Sequence, residues 1–340
     1  MLTKTFMLPF AYRYVWQSGT SRGYMEFNHV SVLLEEVINS LQVKPSGCYI
    51  DCTVGGGGHS YHIAQQLDPK LGGRLWGIDQ DECALLAASE RLAPFGDTVH
   101  LVRDNFSNLA SVASEHGIGR ADGILLDLGV SSYQLDTPER GFSYIHNAPL
   151  DMRLDDRSAL TASVIVNTYP EHEIADIISR FGEERFARKI AARICEIRAD
   201  APIETTSQLA DICRSVIPAR LAATSGNPAK RTFQAIRIAV NAELDVITPA
   251  LRAAAELLVP GGRLAVITFH SLEDRIVKNE FSELAAGCTC PPDFPVCVCG
   301  HKPTLRMITK KPICPGVREL QDNPRSHSAK LRVAEKLPRD

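Results

Sequence analysis

The sequence contains no apolar run of ~18 or more residues, the length that an α-helix needs to cross a bilayer, and this argues against a membrane protein. It also lacks a strong charge of either sign, because its formal net charge is −3. A uniformly basic nucleic-acid coat is therefore excluded, although a local basic face is compatible with this balance. With 340 residues, 44% of them hydrophobic, the chain can bury one large core, or one core and a smaller satellite domain.

The first 25 residues contain no acidic side chain and carry Lys4, Arg13 and Arg22. This composition fits an organellar transit peptide, but it fits an unstructured extension equally well. We favour the second interpretation and predict that residues 1–25 form a disordered extension. We predict a cytoplasmic location.

Most of the ten cysteines fall singly within predicted strands, helices or loops, which suits a reduced cytoplasmic setting. Cys288, Cys290, Cys297 and Cys299 differ, because two C-x-C pairs could place four thiolates around one zinc ion. A proline-rich loop with reduced cysteines is the alternative. The sequence leaves the two interpretations open.

Strand-like and helix-like segments alternate over the first part of the chain. Strands are predicted at Cys48–Thr53, Arg74–Asp79, Thr98–Val102 and Gly123–Asp127, with amphipathic helices between them. Such alternation indicates βαβ units and a parallel sheet. Three later strands, at Arg263–Phe269, Leu305–Lys310 and Ala329–Leu337, bring the predicted sheet to seven strands and an α/β, Rossmann-like fold.

The alternation stops after Asp127, and helical patterns dominate from Ser158 to Arg214. A single helical tract is then predicted from Thr232 to Val259. These patterns predict an inserted helical subdomain over residues 136–231, within an α/β domain formed by residues 26–135 and 232–340.

The segment Asp51–His59 directly follows the first strand and contains four consecutive glycines, Gly55 to Gly58. Without Cβ atoms, these residues let a ligand approach the backbone N–H groups closely. The spacing does not match the G-x-G-x-x-G turn that holds a pyrophosphate. A glycine-rich loop that begins with an acidic residue suits the cationic sulfonium and amino-acid tail of S-adenosylmethionine better than it suits a pyrophosphate.

Asp79 ends the second strand about twenty residues after Gly58, where an acid can accept hydrogen bonds from both hydroxyls of an adenosine ribose. A nicotinamide cofactor shares that ribose, so an oxidoreductase is one alternative class. It would require pyrophosphate spacing in the first loop. A catalytically silent RNA-binding protein is a second alternative, which would tolerate the loss of Asp79.

Asp127 ends the fourth strand and begins a short polar motif that reaches Gln134. An exocyclic base amine is a poor nucleophile, so a site that methylates it must orient the nitrogen and accept its hydrogen bonds as charge develops. Asp127 could do this, or it could merely cap its loop. His270 follows the fifth strand and could orient the base or take a proton, although a structural histidine is the commoner case.

Eight motifs in order resemble the bacterial 16S ribosomal RNA (cytosine-N4)-methyltransferase family, RsmH, formerly MraW. The resemblance runs from about His29 to Leu337. Its motifs are His29–Glu36, Gly57–Ser60, Gly123–Ser132, Arg140–Ser143, Pro149–Arg153, Gly182–Ala187, Arg231–Ala235 and Phe269–Arg275.

This resemblance implies a class I methyltransferase that uses S-adenosylmethionine to methylate N4 of a cytosine in the decoding centre of small-subunit rRNA. It implies cofactor contacts from Gly57, Gly58, His59, Asp79, Phe106, Asp127 and Gln134. It further implies that the insertion recognises the substrate, and we assign Asp127 and His270 as the catalytic candidates. The expected partner is 16S rRNA in the small subunit. Neither a membrane nor a metal is expected, and a homodimer is possible.

Methylation on a base edge requires the nucleotide to leave its stack, which predicts a pocket roofed by Phe142, Tyr144 or Tyr133. Two basic surfaces are candidates for RNA contact. One includes Arg188 and Lys189 on the insertion, with Lys230, Arg231 and Arg237 following, and the other lies in the tail from Lys302 onward.

Overall fold

The computed structural model describes residues 12–15, 24–27, 31–220, 226–287, 290, 299 and 302–338. Its strands are β1 (Tyr12–Val15), β2 (Tyr24–Phe27), β3 (Cys48–Asp51), β4 (Arg74–Asp79), β5 (Val99–Arg103), β6 (Ala121–Asp127), β7 (Leu258–Thr268), β8 (Leu305–Met307) and β9 (Lys330–Lys336). Its α-helices are α1 (Leu34–Leu41), α2 (Gly58–Ala64), α3 (Glu82–Leu92), α4 (Leu109–Glu115), α5 (Ser132–Asp136), α6 (Ala162–Thr168), α7 (Glu171–Gly182), α8 (Ala187–Asp200), α9 (Thr206–Val216), α10 (Lys230–Asn241), α11 (Ile247–Leu257), α12 (Ser271–Ala285) and α13 (Val317–Asp322).

Seven strands form one sheet in the order β5-β4-β3-β6-β7-β9-β8. Strands β3 to β7 run parallel to one another, whereas β9 is antiparallel to both β7 and β8. The predicted seven-stranded, mostly parallel sheet is confirmed. The chain moves outward from β3 to β5 and then returns to β6 on the other side of β3, which creates a topological switch point between β3 and β6.

Both faces of the sheet are buried, as the continuous apolar strands predict. Alternate residues of β6 point to opposite faces, so that Ile124 and Leu126 pack with α4, α11 and α12, whereas Leu125 packs with α1 and α2. β6 therefore lies at the centre of the domain, and Asp127 ends it.

The helical insertion has a hydrophobic core of its own, formed by α6 to α10 together with the segment around Phe142 and Met152. This core continues past the predicted limit at Arg231, because Phe233, Ile236 and Val240 on α10 are buried in it. Helix α10 thus joins the insertion to the α/β domain.

The helical tract predicted from Thr232 to Val259 is two helices rather than one. Ala242 ends α10 in the left-handed conformation, with φ of 48°, and α11 starts at Ile247. Strand β7 begins at Leu258, earlier than predicted. Gly262 lets it approach β6 closely, since a Cβ there would lie 3.1 Å from the backbone oxygens of Ala121 and Asp122.

Strands β1 and β2 pair with each other in a separate antiparallel sheet. Part of the segment predicted to be a disordered extension therefore has backbone pairing, although two strands alone are marginally stable in water. The extent of the extension stays a prediction. Among the described residues, no helix combines the length and the apolar character that crossing a membrane requires.

Gly141 is the point where we expect the insertion to be most sensitive to a single methyl group. Its φ is +70°, and a Cβ would lie 2.3 Å from the Pro149 backbone oxygen. Gly141→Ala should lower the free energy of unfolding by about 2–4 kcal/mol through strain and overlap together. Gly226→Ala is the control, because Gly226 also has a positive φ, of +81°, but a Cβ there would have no atom within 4 Å. This variant should lose only about 1 kcal/mol of unfolding free energy. Equal losses in urea titrations of the two variants would contradict the close contact.

Candidate functional site

A cavity of about 520 Å³ opens at the carboxyl ends of the parallel strands, beside the switch point between β3 and β6. The α/β domain supplies one wall through the glycine loop and the ends of β4 to β7. The insertion supplies the opposite wall through Phe142, Tyr144, Leu154 and Phe233. Its size is in the range of sites that bind a cofactor or another small molecule.

The glycine loop reaches the cavity at Gly55, Gly56 and Gly58. A Cβ on Gly58 would lie 2.0 Å from the Ser31 hydroxyl oxygen, so a larger residue there would require Ser31 to move. A Cβ on Gly56 would have no atom within 4 Å. The predicted cofactor residue Gly57 is not among the lining residues. Its φ of +76° and its closeness to Ala88 and Leu92 on α3 explain the glycine there.

Asp79 lines the cavity and is held in position by backbone N–H groups. Its carboxylate accepts hydrogen bonds from Gly55 N at 2.9 Å and from Asp81 N at 2.9 Å. Burial nevertheless raises the pKa of Asp79 to about 6, and the nearby Asp81 and Asp51 carboxylates add to the increase. Asp79 thus presents a carboxyl group at the cavity, and its contact with ribose hydroxyls stays a prediction.

Asp51, which leads the loop, is not among the residues that line the cavity. It is 1% exposed and accepts hydrogen bonds from the Ser60 hydroxyl at 2.7 Å and from Thr53 N at 3.2 Å. Burial raises the pKa of Asp51 to about 6. Asp51 therefore holds the two ends of the loop together, and its charge acts on the cavity only through space.

His59 and Asp127 meet where the glycine loop approaches the end of β6. His59 Nε2 donates to the Val32 backbone oxygen at 3.0 Å, and its Nδ1 lies 3.8 Å from Asp127 Oδ2, too far for a direct hydrogen bond. Both residues line the cavity, as predicted for cofactor contacts.

Asp127 lies in an environment that disfavours its charged form. Its Oδ1 is buried without a hydrogen-bond partner among the described residues, although 27% of the side chain is exposed and the residue lines the cavity. Burial holds the pKa of Asp127 well above its ordinary value, and the charges of Asp51 and Glu273 raise it further. A buried oxygen of this kind requires a partner, and a ligand in the cavity can supply it.

His270 lines the cavity and also caps α12. Its Nδ1 accepts from Glu273 N at 3.4 Å, and its Nε2 lies 3.1 Å from Glu273 Oε1. Although burial alone would raise the pKa of Glu273, its hydrogen bond and charge interaction with His270 hold that pKa below the ordinary value. The structural role of His270 is thus visible, and its catalytic role stays a prediction.

Gln134 lines the cavity, but the contacts of its amide lie within the protein. Its Nε2 donates to Asp81 at 2.8 Å and its Oε1 accepts from Ser131 N at 2.9 Å. Asp81 also pairs with Arg140 at 2.9 Å, and Arg140 donates to the backbone oxygens of Arg153 and Leu154. Sequence reasoning missed this connection between the cofactor loops and the insertion, because no spacing rule relates Asp81 to Arg140.

Phe106 begins the turn after β5, lines the cavity and packs against the main core. Phe106 can therefore contact a ligand in the cavity and also contribute to the core. Of the aromatic candidates for the substrate side, Phe142 and Tyr144 line the cavity, whereas the side chain of Tyr133 lies outside the described part of the chain.

Glu243, His270 and Glu273 bring three potential metal-ligand atoms within 4.8 Å of one another. Two of them already have strong partners, since Glu243 forms a bidentate pair with Arg237 at 2.8 and 2.9 Å and Glu273 caps α12. That the reaction needs no metal stays a prediction. Cys288 and Cys297 lie outside the described residues, so the predicted choice between zinc and reduced thiols stays open as well.

These residues fit S-adenosylmethionine. The open glycine loop can accept its amino-acid portion, Asp79 its ribose and Phe106 its adenine, while the carboxylates at the strand ends complement a cationic sulfonium. A seven-stranded sheet with β9 antiparallel and a cavity at the switch point defines the class I methyltransferases that use this cofactor.

The chain belongs to the MraW methylase family, whose model matches residues 26–337. Ribosomal RNA small subunit methyltransferase H of Symbiobacterium thermophilum is 56% identical over 313 residues, which cover 92% of this chain and 98% of that protein. The protein of the same name from Heliobacterium modesticaldum is 57% identical over 314 residues, covering 92% and 100%. The predicted family, methyltransferase class and S-adenosylmethionine cofactor are confirmed.

Asp79 provides a test of the cofactor site. Asp79→Asn should weaken binding of S-adenosylhomocysteine about ten- to a hundredfold, because a charged acceptor of two hydroxyl groups is lost. Wild-type affinity should also fall as the pH decreases through about 6, where the carboxylate takes up a proton. Titration calorimetry across this pH range, with the exposed Glu115→Gln as control, measures both effects. An identical pH dependence in Asp79→Asn would contradict the assignment.

Asp127 should decrease stability at neutral pH. A carboxyl group whose pKa is raised by folding stabilises the folded state only while it is protonated, so this contribution is lost as the pH rises through the folded pKa. Asp127→Asn should therefore raise the melting temperature by a few degrees at pH ~8, and the difference should shrink on acidification toward pH ~5. Asp97→Asn, at an exposed acid, should show neither effect. A destabilised Asp127→Asn at pH ~8 would show that the carboxylate has a stabilising partner.

Proposed function

We propose that this chain methylates small-subunit rRNA, and that the acceptor is N4 of a cytosine in the decoding centre. The observation that carries this proposal is Asp127, a buried carboxylate with an unpartnered oxygen, in a cavity shared by the cofactor loops and the helical insertion. The relatives described above are named for methylation of small-subunit ribosomal RNA, which supports the substrate class.

The chemistry of an exocyclic amine suits this arrangement. The nitrogen lone pair is delocalised into the ring, and it becomes nucleophilic only as the N–H groups are held and one proton is released. Bound S-adenosylmethionine supplies an electrophilic methyl group. Asp127 can accept a hydrogen bond from the amine and orient it. Its raised pKa suits it to take the proton as the C–N bond forms and the methyl–sulfur bond breaks, which leaves S-adenosylhomocysteine. No covalent bond to the enzyme is needed.

The insertion wall fits a flat base. The rings of Tyr144 and Phe233 meet edge to face, with centroids 5.7 Å apart, and Phe142 lies beside them in the cavity lining. Aromatic side chains of this kind hold a base that has left its stack, while polar groups at the opposite wall contact its edge. Asp127 lines the same cavity.

Exposed cations near the cavity support an RNA substrate. Arg185, Arg188 and Lys189 are exposed at the start of α8, and Lys230 lines the cavity at the start of α10. Glu183, which precedes α8, contacts Arg275 and Ser271 of α12 at 3.1 Å and joins this surface to the catalytic side. Phosphate groups on either side of the target nucleotide can bind there.

Several other cations that were predicted to contact RNA are paired with acidic side chains in the structure. Arg237 is directed inward and paired with Glu243, so it does not belong to a phosphate-binding surface. In the tail, Arg325 pairs with Asp136, and both Lys330 and Arg332 pair with Asp274. The insertion is therefore the better supported RNA surface. A cytoplasmic location and a homodimer stay predictions.

The decisive experiment uses small ribosomal subunits from a strain that lacks this protein. Incubation with labelled S-adenosylmethionine, nuclease digestion and mass spectrometry should yield N4-methylcytidine at one decoding-centre position. Asp127→Asn should lose about 10²–10³-fold in rate at saturating S-adenosylmethionine. Label at another atom of cytosine would overturn the N4 assignment, and RNA binding without transfer by the wild type would favour a silent RNA-binding protein.

A further inference from the structure

Ile145 has the most exposed large hydrophobic side chain in the described part of the chain, with 75% of its surface accessible. Single exposed apolar residues are common and usually have no function. The position of this one is unusual, because it directly follows Tyr144, whose side chain lines the cavity. Adjacent Cα atoms are ~3.8 Å apart, so the backbone of Ile145 lies beside that of a cavity-lining residue.

The loop that carries Ile145 is held firmly at both ends. The Thr206 hydroxyl, which is fully buried, donates to the His146 backbone oxygen at 2.6 Å and accepts from Ala148 N at 3.0 Å. Ile145 N donates to the Ser143 hydroxyl at 3.2 Å, and Tyr144 is fixed against Phe233. An exposed side chain on a braced loop does not collapse onto the protein to cover its own apolar surface.

Extraction of a base from structured RNA leaves a gap in the stack, and its neighbours lose their contacts with it. An apolar side chain inserted between base steps fills such a gap and keeps the extracted conformation from closing. The side chain must be apolar, exposed in the free protein, rigidly presented and adjacent to the pocket that receives the base. Ile145 meets these four conditions.

We propose that Ile145 is a positioning residue that enters the RNA stack when the target base leaves it and occupies the vacated place. This inference rests on the proposed methylation of a base in structured RNA. Ile145 does not touch the reacting atoms, and its contribution is to the population of the extracted nucleotide. Its loss should therefore slow transfer while cofactor binding is unchanged.

The variants are Ile145→Ser, which removes the apolar surface, and Ile145→Leu, which retains it. Leu71→Ser is the matched control, because Leu71 is 61% exposed and lies just before the amino end of β4, at the edge of the sheet opposite the cavity. All variants should bind S-adenosylhomocysteine and melt as the wild type does, since the side chains at both positions are largely exposed.

Single-turnover transfer to small ribosomal subunits is the first readout. Ile145→Ser should be about tenfold slower or more at saturating enzyme, whereas Ile145→Leu and Leu71→Ser should stay within about twofold of the wild type. The second readout is a stem-loop RNA with 2-aminopurine beside the target cytosine. Wild-type enzyme should increase its fluorescence as the stack opens, and Ile145→Ser at saturating concentration should give a smaller increase.

The outcomes separate the two proposals. If the wild type transfers the methyl group and Ile145→Ser matches it in rate and fluorescence, the role of Ile145 is overturned and the proposed function stands. A loss in Ile145→Ser that Ile145→Leu does not restore would also overturn it, because the apolar surface would not be the cause. Absence of transfer by the wild type would refute the proposed function itself.

Discussion

The concentration of negative charge at one edge of the sheet is the constraint on which the site depends. Asp51, Asp79 and Asp127 end three neighbouring strands, and burial raises the pKa of each carboxyl group. Hydroxyl and backbone N–H groups satisfy Asp51 and Asp79, while Asp127 keeps an unpartnered oxygen. S-adenosylmethionine is a cation, and negative charge at this edge of the sheet complements it.

Contacts across the cavity connect the two parts of the molecule. Arg140 joins Asp81 to the insertion backbone, and Glu183 joins the start of α8 to α12. The first contact lies beside the acid proposed to hold ribose, and the second beside the surface proposed to bind RNA. Charged contacts thus attach the insertion to the α/β domain at two places, in addition to the connection through α10.

The sheet and the cofactor side were predictable because each depends on local pattern. Apolar runs ending in acids identify the parallel strands, and the carboxyl ends of such strands meet at one edge, which brings Asp79 and Asp127 together. What could not be predicted depends on contacts between distant segments. Gln134 binds Asp81, Arg237 is directed inward to Glu243, and the break at Ala242 separates two helices that share one apolar pattern.

The position of β9 has a consequence for synthesis of the chain. This strand lies inside the sheet, between β7 and β8, although it comes after them in sequence. The insertion builds its core from segments that are close in sequence, whereas the α/β domain needs β6, β7 and β9, which are separated by long stretches. On a translating ribosome the helical insertion can therefore become compact first, and the domain that surrounds it in sequence closes only after the last strand has emerged.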